Sequence, residues 1–429
     1  MIAPRKVAVV GAGVAGLAAT LALRARGVAC EVFEASPRAG GLLAPVPFRG
    51  VACDRGSHRI LDDAWRALPP EARDLAWHRV PRRGVLVLGD RHARYPLALP
   101  DLARAVGLRA AAGMARDLLA RRLRAPHTDT SDDEGFEAYV VARAGRAAYE
   151  RFYRPYAEKV WGLAPSDLSR SVARQRLSSS SPARALLGGG AAHFWYPRGG
   201  MSALVGALLA ACVRAGAVVR FDAPVCDRSS LDADAVIDTS PLGELAGEPS
   251  LTHRGLYLVH LAFAPGSLGD ADTWYVPDAR FWFGRASRPE RFSAALRSGG
   301  EEVLAVEIPE GRWGESADFV ARLDSLTAQL VDAGVVRRDR TPLDARQTFV
   351  RGVYPMYRRG WRGRWDVAMA RVAATGRVLP AGRQGLFLHC NLDHAMATAR
   401  DAAAHLSDGG DVAQWAAGCA RYLDLRVRD

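Results

Sequence analysis

Near its start the chain reads KVAVVGAGVAGLAATLALRARGVACEVFEAS, residues 6–36, and this stretch constrains the fold more than any other. Lys6–Val10 is a short apolar run suited to a central parallel strand. A glycine turn, Gly11-Ala12-Gly13-Val14-Ala15-Gly16, follows at once. Residues 17–26 then read as a helix, and Ala29–Phe33 as a second strand ending at Glu34. Gly11 makes the tight turn, Gly13 lets a pyrophosphate approach the backbone, and Gly16 lets helix and strand pack closely. The helix start presents unpaired N–H groups to phosphates. Gly11, Gly13, Ala15 and Gly16 are therefore candidate pyrophosphate contacts, and Glu34 stands where an acid accepts hydrogen bonds from ribose hydroxyls. An acid there disfavours a 2′-phosphate, which leaves NAD and FAD.

The rest of the composition excludes several classes. The chain has 429 residues, long enough for two intimately packed domains, with 49% hydrophobic and 24% charged residues. No apolar run reaches the length of a bilayer span, and the early glycine turn leaves no room for a signal peptide, so the expected location is the cytoplasm. The formal charge is +12, but lysine occurs only at Lys6 and Lys159 and the arginines form no long basic run. No nucleic-acid partner is expected; a net field that steers an anionic substrate is. Cys30, Cys53, Cys212, Cys226, Cys390 and Cys419 show neither CxxC pairing nor zinc spacing, so no metal and no disulfide framework is expected.

Past Glu34 the sequence continues Ala35-Ser36-Pro37-Arg38-Ala39-Gly40-Gly41-Leu42. It resembles the extended flavoprotein fingerprint, whose R-x-G-G turn wraps the FAD pyrophosphate. Asp54-Arg55-Gly56-Ser57-His58-Arg59 resembles the segment that runs past the flavin ring in the same proteins. These features select FAD. Further motifs resemble the superfamily of FAD-dependent amine oxidases, protoporphyrinogen oxidases and phytoene desaturases, and within it the branch near UDP-galactopyranose mutase. They are Arg94-Tyr95-Pro96-Leu97 after GVLVLGD, Arg154-Pro155-Tyr156-Ala157-Glu158-Lys159-Val160-Trp161-Gly162 and Tyr196-Pro197-Arg198-Gly199-Gly200-Met201. Trp274-Tyr275-Val276-Pro277-Asp278 and Val353-Tyr354-Pro355-Met356-Tyr357 follow. The series ends with Gly382-Arg383-Gln384-Gly385-Leu386-Phe387 and Asn391-Leu392-Asp393-His394-Ala395-Met396.

The resemblance implies an α/β fold: a Rossmann-like FAD-binding domain built from discontinuous segments, 1–60, 192–250 and 375–429, with an α+β substrate domain at 61–191 and 251–374. A helical insert is expected at about 100–180, from helical spacing at 100–124 and 133–161, with a polar hinge at 128–135 and a Ser/Gly-rich loop at 178–190. Strands are expected at 217–225, 233–239, 251–264 and 302–307. The family places the backbone matching Val225 beside adenine. It assigns Arg38, Gly40, Gly41, Leu42, Ser57, Gly382, Leu392, Asp393 and Ala395 to the cofactor, the last two opening a helix whose N–H groups face the flavin. Such a dipole stabilises the reduced anionic ring.

His58 is a candidate proton shuttle or a ring contact. Tyr156 and Trp161 correspond to aromatics that hold a nucleotide base in the mutase, or they pack in a core; five residues apart on a helix, they do not share one face closely. Arg383 is a candidate clamp for a phosphate or carboxylate, or a flavin support. Tyr275, Tyr354 and Tyr357 are candidates for hydrogen bonds to substrate. The leading expectation is an oxidoreductase with non-covalent FAD that removes a hydride at a C–N, C–O or C–C bond of a small molecule. The DRGSHRI segment departs from the mutase's G-P-H-x-F-H pattern, and the PRGGM turn is oxidase-like. A non-redox sugar-nucleotide mutase is the alternative, and a non-catalytic flavin scaffold a third. Cys390 invites a covalent flavin link, but its motif matches a branch without one.

Overall fold

The computed structural model describes residues 4–95, 107, 112–113, 116–117, 135–177, 192–313 and 319–427. The readings at 100–124, 178–190 and most of 128–135 lie outside the described residues.

Strand β1 (Lys6–Val10) runs between β2 (Ala29–Phe33) and the strand Ala235–Asp238, parallel to both. Val218–Arg220 extends this sheet beyond β2, and Val378–Pro380 closes its other edge, giving five parallel strands drawn from three separate stretches of the chain. Val7 and Val9 are fully buried and Val10 nearly so, as a strand covered on both faces requires.

Helix α1 (Val14–Arg24) begins earlier than the glycine pattern implied, with Gly13 as its N-cap. The turn is thus partly the first helical turn itself. The reason is steric: a Cβ on Gly16 would lie 1.9 Å from the carbonyl oxygen of Gly11, so only glycine lets the helix start directly over the strand end. Val218–Arg220 is also shorter than the expected 217–225. Asp222 takes a left-handed φ of 50°, and the chain turns so that Ala223 N–H donates to the Glu34 carbonyl (2.9 Å). Residues 220–223 are spent on bracing the turn after β2.

The second sheet has seven strands, in the order Asp344–Pro355, His253–Phe263, Glu302–Pro309, Arg285–Ser287, Thr273–Tyr275, Gly84–Leu88 and Arg91–Tyr95. All neighbours are antiparallel except Thr273–Tyr275 with Gly84–Leu88. One face buries Val259, Leu261, Leu304 and Val306 against Leu326 and Leu330 of the helix Phe319–Asp332, forming a core separate from the one around the parallel sheet.

Between the sheets, Phe136–Ala144 and Arg154–Trp161 are joined by a π-helical turn, Tyr149–Tyr153. The second helix is fastened to the large sheet by charge. Lys159 has no exposed surface, and its Nζ donates to the carbonyls of Val276 (2.7 Å) and Phe283 (3.0 Å). Burial, assisted by Arg312, pushes its pKa down to about 7. The Arg254 guanidinium donates to the Lys159 carbonyl from the other side (3.0 Å) and packs over Gly162, whose left-handed conformation ends the helix.

Replacing Gly16 with Ala is expected to cost at least 1–3 kcal/mol, the usual range for overpacking. Denaturant unfolding of the variant checks this; an unchanged midpoint would contradict the close contact.

Candidate functional site

The carboxyl ends of the parallel strands open on the large sheet, where α/β folds place ligands. At this edge Gly11 N–H donates to the Phe33 carbonyl (2.7 Å) and Gly40 N–H to that of Ala12 (2.9 Å). Two glycine turns thereby face each other. A Cβ on Gly13 would meet nothing nearer than Gly41 Cα at 4.0 Å, so its backbone borders open space. The α1 N-terminus carries no acid and no capping side chain, leaving its N–H groups for an anion.

Glu34 ties the two turns together. Its carboxylate accepts from Ala12 N–H (2.8 Å), Ser36 N–H (2.9 Å) and Ser36 Oγ (2.6 Å). Arg38 is exposed. Arg55 donates to the Gly41 carbonyl (3.1 Å), and burial together with the nearby Arg38 charge lowers its pKa. Two guanidinium groups held beside a helix N-terminus form a local excess of positive charge that an anion would stabilise. Val225 lies past the strand end, its carbonyl accepting from Arg228 (2.9 Å). Gly382 packs on Ala15, where its own Cβ would come within 2.7 Å of the alanine Cβ. Leu392 and Asp393 open the helix Leu392–Ser407, which packs on α1 and includes Ala395 in its first turn. Gly41 and Leu42 lie in a single 3-10 turn after Gly40.

Towards the large sheet, Arg55 Nε, Ser57 Oγ, His58 Nδ1, Arg383 Nε and Asp393 Oδ1 are buried and have no hydrogen-bond partner. Native interiors leave few such atoms. Arg55, Ser57 and His58 share one segment and Arg383 acts electrostatically on His58, so a polar ligand here would supply the missing partners.

At the seam, Ser57 N–H donates to Glu307 (2.9 Å), which also receives Arg285 Nε (2.8 Å) and Nη2 (2.7 Å). Arg285 remains 27% exposed and interacts electrostatically with Tyr354 and Tyr275, while Glu307 is 4% exposed. Arg383 donates to the carbonyls of Cys390 and Val353 (both 2.5 Å) and, among the described residues, has no carboxylate partner. Opposite stands an aromatic wall. Trp161 lies 6.3 Å from Tyr354 and 6.4 Å from His389, ring centre to ring centre. Tyr156 meets Trp161 edge-on at 6.2 Å, closer than their spacing implied, because the large rings reach around the helix end.

His58 keeps 28% of its side chain accessible, on the cleft, yet is otherwise enclosed. Burial first, then Arg285 and Arg383, pushes its pKa down to about 4 against the opposing pull of Glu307. It is neutral at physiological pH. His253 is likewise held at about 4 by burial and Arg383, and His260 by burial and Arg346.

Of the sequence candidates, His58, Arg383, Tyr354 and Tyr156 meet near the seam, while Trp161, 2% exposed, is packed in the core behind Tyr156 and Tyr354. Tyr275 borders the cleft, with its hydroxyl accepting from Arg59 (2.7 Å). Tyr357 does not belong to it. This residue has no exposed surface, donates to the Phe387 carbonyl (2.9 Å), accepts from His389 N–H (2.9 Å) and stacks on Trp361 at 4.2 Å. These contacts give Tyr357 a structural task and leave it no surface facing solvent. Sequence reasoning missed Arg285, Glu307, His253 and His389. Glu307 left one signal, a lone acid inside the otherwise apolar run VLAVEIP, but its partner comes from another strand.

The comparisons now bear directly on this site. The family model described as flavin containing amine oxidoreductase matches residues 14–268, more than half of the chain. The chain belongs to that family. It is similar to protoporphyrinogen oxidase 2, chloroplastic/mitochondrial, of Arabidopsis thaliana, with 44% identity over 61 residues; the match covers 14% of this chain and 12% of that relative's length. Its fold is similar to that of reduced UDP-galactopyranose mutase, with a TM-score of 0.79 and 17% identity over 100% of this chain and 98% of the other. Putrescine oxidase bound to putrescine has a TM-score of 0.63 and 18% identity over 94% and 98% of the two chains. The family implies a flavin, and the open slot and the partnerless polar atoms fit one. Among the described residues no helix is long and apolar enough to cross a membrane, and no cluster of His, Cys, Asp or Glu forms a metal site.

Two outcomes follow from this geometry. Gly13→Ala should leave the stability of the flavin-free protein within about 1 kcal/mol, in contrast to Gly16→Ala, yet lower flavin occupancy at least tenfold. Calorimetry and the absorbance ratio at 450 and 280 nm, about 450 nm being the flavin band, separate the two. Acid should also destabilise the fold. From pH 6.5 to 4 the unfolded chain gains protons on His58, His253 and His260 that the folded chain resists, while Asp54, raised to about 6 by burial, gains one in the folded state. Three protons against one leave a net of about two, so stability falls on acidification by up to roughly 2.7 kcal/mol per pH unit near pH 5. A melting temperature flat from pH 7 to 4.5 would contradict this.

Proposed function

We propose that the protein is an FAD-dependent oxidoreductase that holds FAD without a covalent bond and removes a hydride from an anionic small molecule at a C–N, C–O or C–C bond. The supporting observation is the group of partnerless polar atoms on Arg55, Ser57, His58, Arg383 and Asp393, with Arg285 and Arg383 acting on His58. Glu34, Arg38, Arg55 and the glycine turns would hold the ribose and pyrophosphate, and Ser57, Arg383 and Asp393 would border the ring. Bound FAD supplies the hydride acceptor. Cys390 is buried with its thiol pushed up to about 12, so a reactive thiolate, the form a covalent link requires, is disfavoured.

Charge argues for the substrate class. Glu307 compensates Arg285, but Arg383 is uncompensated by any described carboxylate, and the nearby His58 and His253 stay neutral. Such a cleft favours an anion over the cation of a diamine. Arg285, fixed by Glu307, would orient an oxyanion; Tyr156 and Tyr354, backed by buried Trp161, would contact the substrate and exclude water; neutral His58 would accept a proton from it. A non-redox mutase acting with reduced flavin is the second reading, favoured by the near-complete overlap with UDP-galactopyranose mutase and by the aromatic wall.

Anaerobic addition of candidate anionic and amine substrates to the oxidised protein tests this. Loss of the flavin absorbance with an anion supports dehydrogenation. Turnover seen only after prior reduction, with no net electron flow, supports the mutase. Colourless protein that takes up no FAD refutes both. Arg285→Met should weaken binding of an anionic substrate about 10- to 100-fold, the loss expected for a charged hydrogen bond, with flavin content unchanged.

A further inference from the structure

One group near His58 has no part in the proposed catalysis so far. Asp54 is 7% exposed and makes two strong contacts away from the cleft: it accepts from Tyr196 OH (2.5 Å) and from Met201 N–H (3.1 Å), the latter opening the helix Met201–Arg214. Its Oδ2 stands 4.0 Å from His58 Nδ1, which is buried without a partner. The side chain keeps 28% of its surface accessible, and the Gly56 backbone also hydrogen-bonds the ring. At 4.0 Å the pair is not hydrogen-bonded; a bond requires the imidazole to approach by about 1 Å.

We propose that Asp54 is the positioning residue for His58: it holds the proton on Nδ1, leaves the Nε2 lone pair facing the substrate, and receives the Nδ1 proton when Nε2 gains one. The step balances. The substrate O–H or N–H bond breaks and its proton bonds to Nε2. The Nδ1–H bond breaks and that proton bonds to Asp54 Oδ2; bound FAD would supply the two-electron acceptor for the substrate's hydride. The ring ends neutral, as its surroundings demand. Arg285 and Arg383 face it and oppose an imidazolium, and Glu307 offsets them only in part. Around Asp54 stand Tyr196, the Met201 helix start, Cys53 and His260. Burial raises its proton affinity against the hydrogen bonds from Tyr196 and Met201, to about 6. Asp54 is thus the stronger base of the pair and the natural end of the path.

This inference rests on the flavin reading, and its test separates the two. Nitrogen-15 NMR of His58 in the flavin-free protein should show the Nδ1–H tautomer; the Nε2–H tautomer overturns the proposal whether or not a flavin binds. In the FAD-loaded protein, the midpoint potential measured from pH 5 to 8 counts protons taken up with two electrons, at about 30 mV per pH unit for each proton. Wild type should gain one extra proton per two electrons above about pH 6, where oxidised-state Asp54 is ionised and the added negative charge draws a proton back. Asp54→Asn should lose that extra slope while keeping its flavin. Tyr196→Phe, which removes a donor to the carboxylate without removing the acid, should move the break upward by about one pH unit. A profile identical in all three proteins would assign the break to the cofactor's own proton and overturn the proposal.

Discussion

Residues 54–59 hold the molecule together by hydrogen bonds between charged and polar groups buried at the seam. Asp54 ties them to the helix Met201–Arg214, Ser57 N–H to Glu307, and Arg59 to Tyr275, Asp272 and Thr273 of the large sheet. The Arg59 guanidinium also lies over Phe194 and Phe292, at 5.1 and 5.3 Å from their ring centres. Loss of one partner would leave another buried and unsatisfied, which costs more than the bond itself contributes. The segment therefore has one place to sit, and that place puts His58 and Ser57 between the glycine slot and the aromatic wall.

The same economy runs through the site. Lys159 and Arg254 fasten the aromatic helix to the sheet through carbonyls, and Trp161, buried in the core, carries Tyr156 and Tyr354 against it. Phe387, fully buried, adopts a left-handed φ of 54°, a conformation that costs an aromatic residue energy. It is held by Tyr357, Trp361 and His253, and the three residues after it, Leu388, His389 and Cys390, are buried too. Strain of this kind persists where a site over-determines its backbone.

Much of the cofactor end was legible in the chain because its signals are local. β1 and β2 were read to the residue, and the PRGGM turn does open a helix at Met201. The misjudged helix start at Val14 and the short strand Val218–Arg220 both arose where two segments brace each other: Gly11 against Gly16, and Ala223 against Glu34. Tyr357 shares a motif with Tyr354, but the strand ends at Pro355 and Tyr357, just beyond it, stacks on Trp361.

The sequence by itself determined the nucleotide-binding turn, because phosphate recognition there uses backbone geometry that glycines at fixed spacing dictate. It also determined the family, through motifs that each occupy a few consecutive residues. Only the tertiary structure decided which charges meet at the seam. Arg285 and Glu307 lie on different strands, Arg383 has no carboxylate partner among the described residues, and Asp54 comes within 4.0 Å of His58 only once its loop is buried. Electrostatic pairing depends on distance in space and on exclusion of water, and neither is written in the order of residues along a chain.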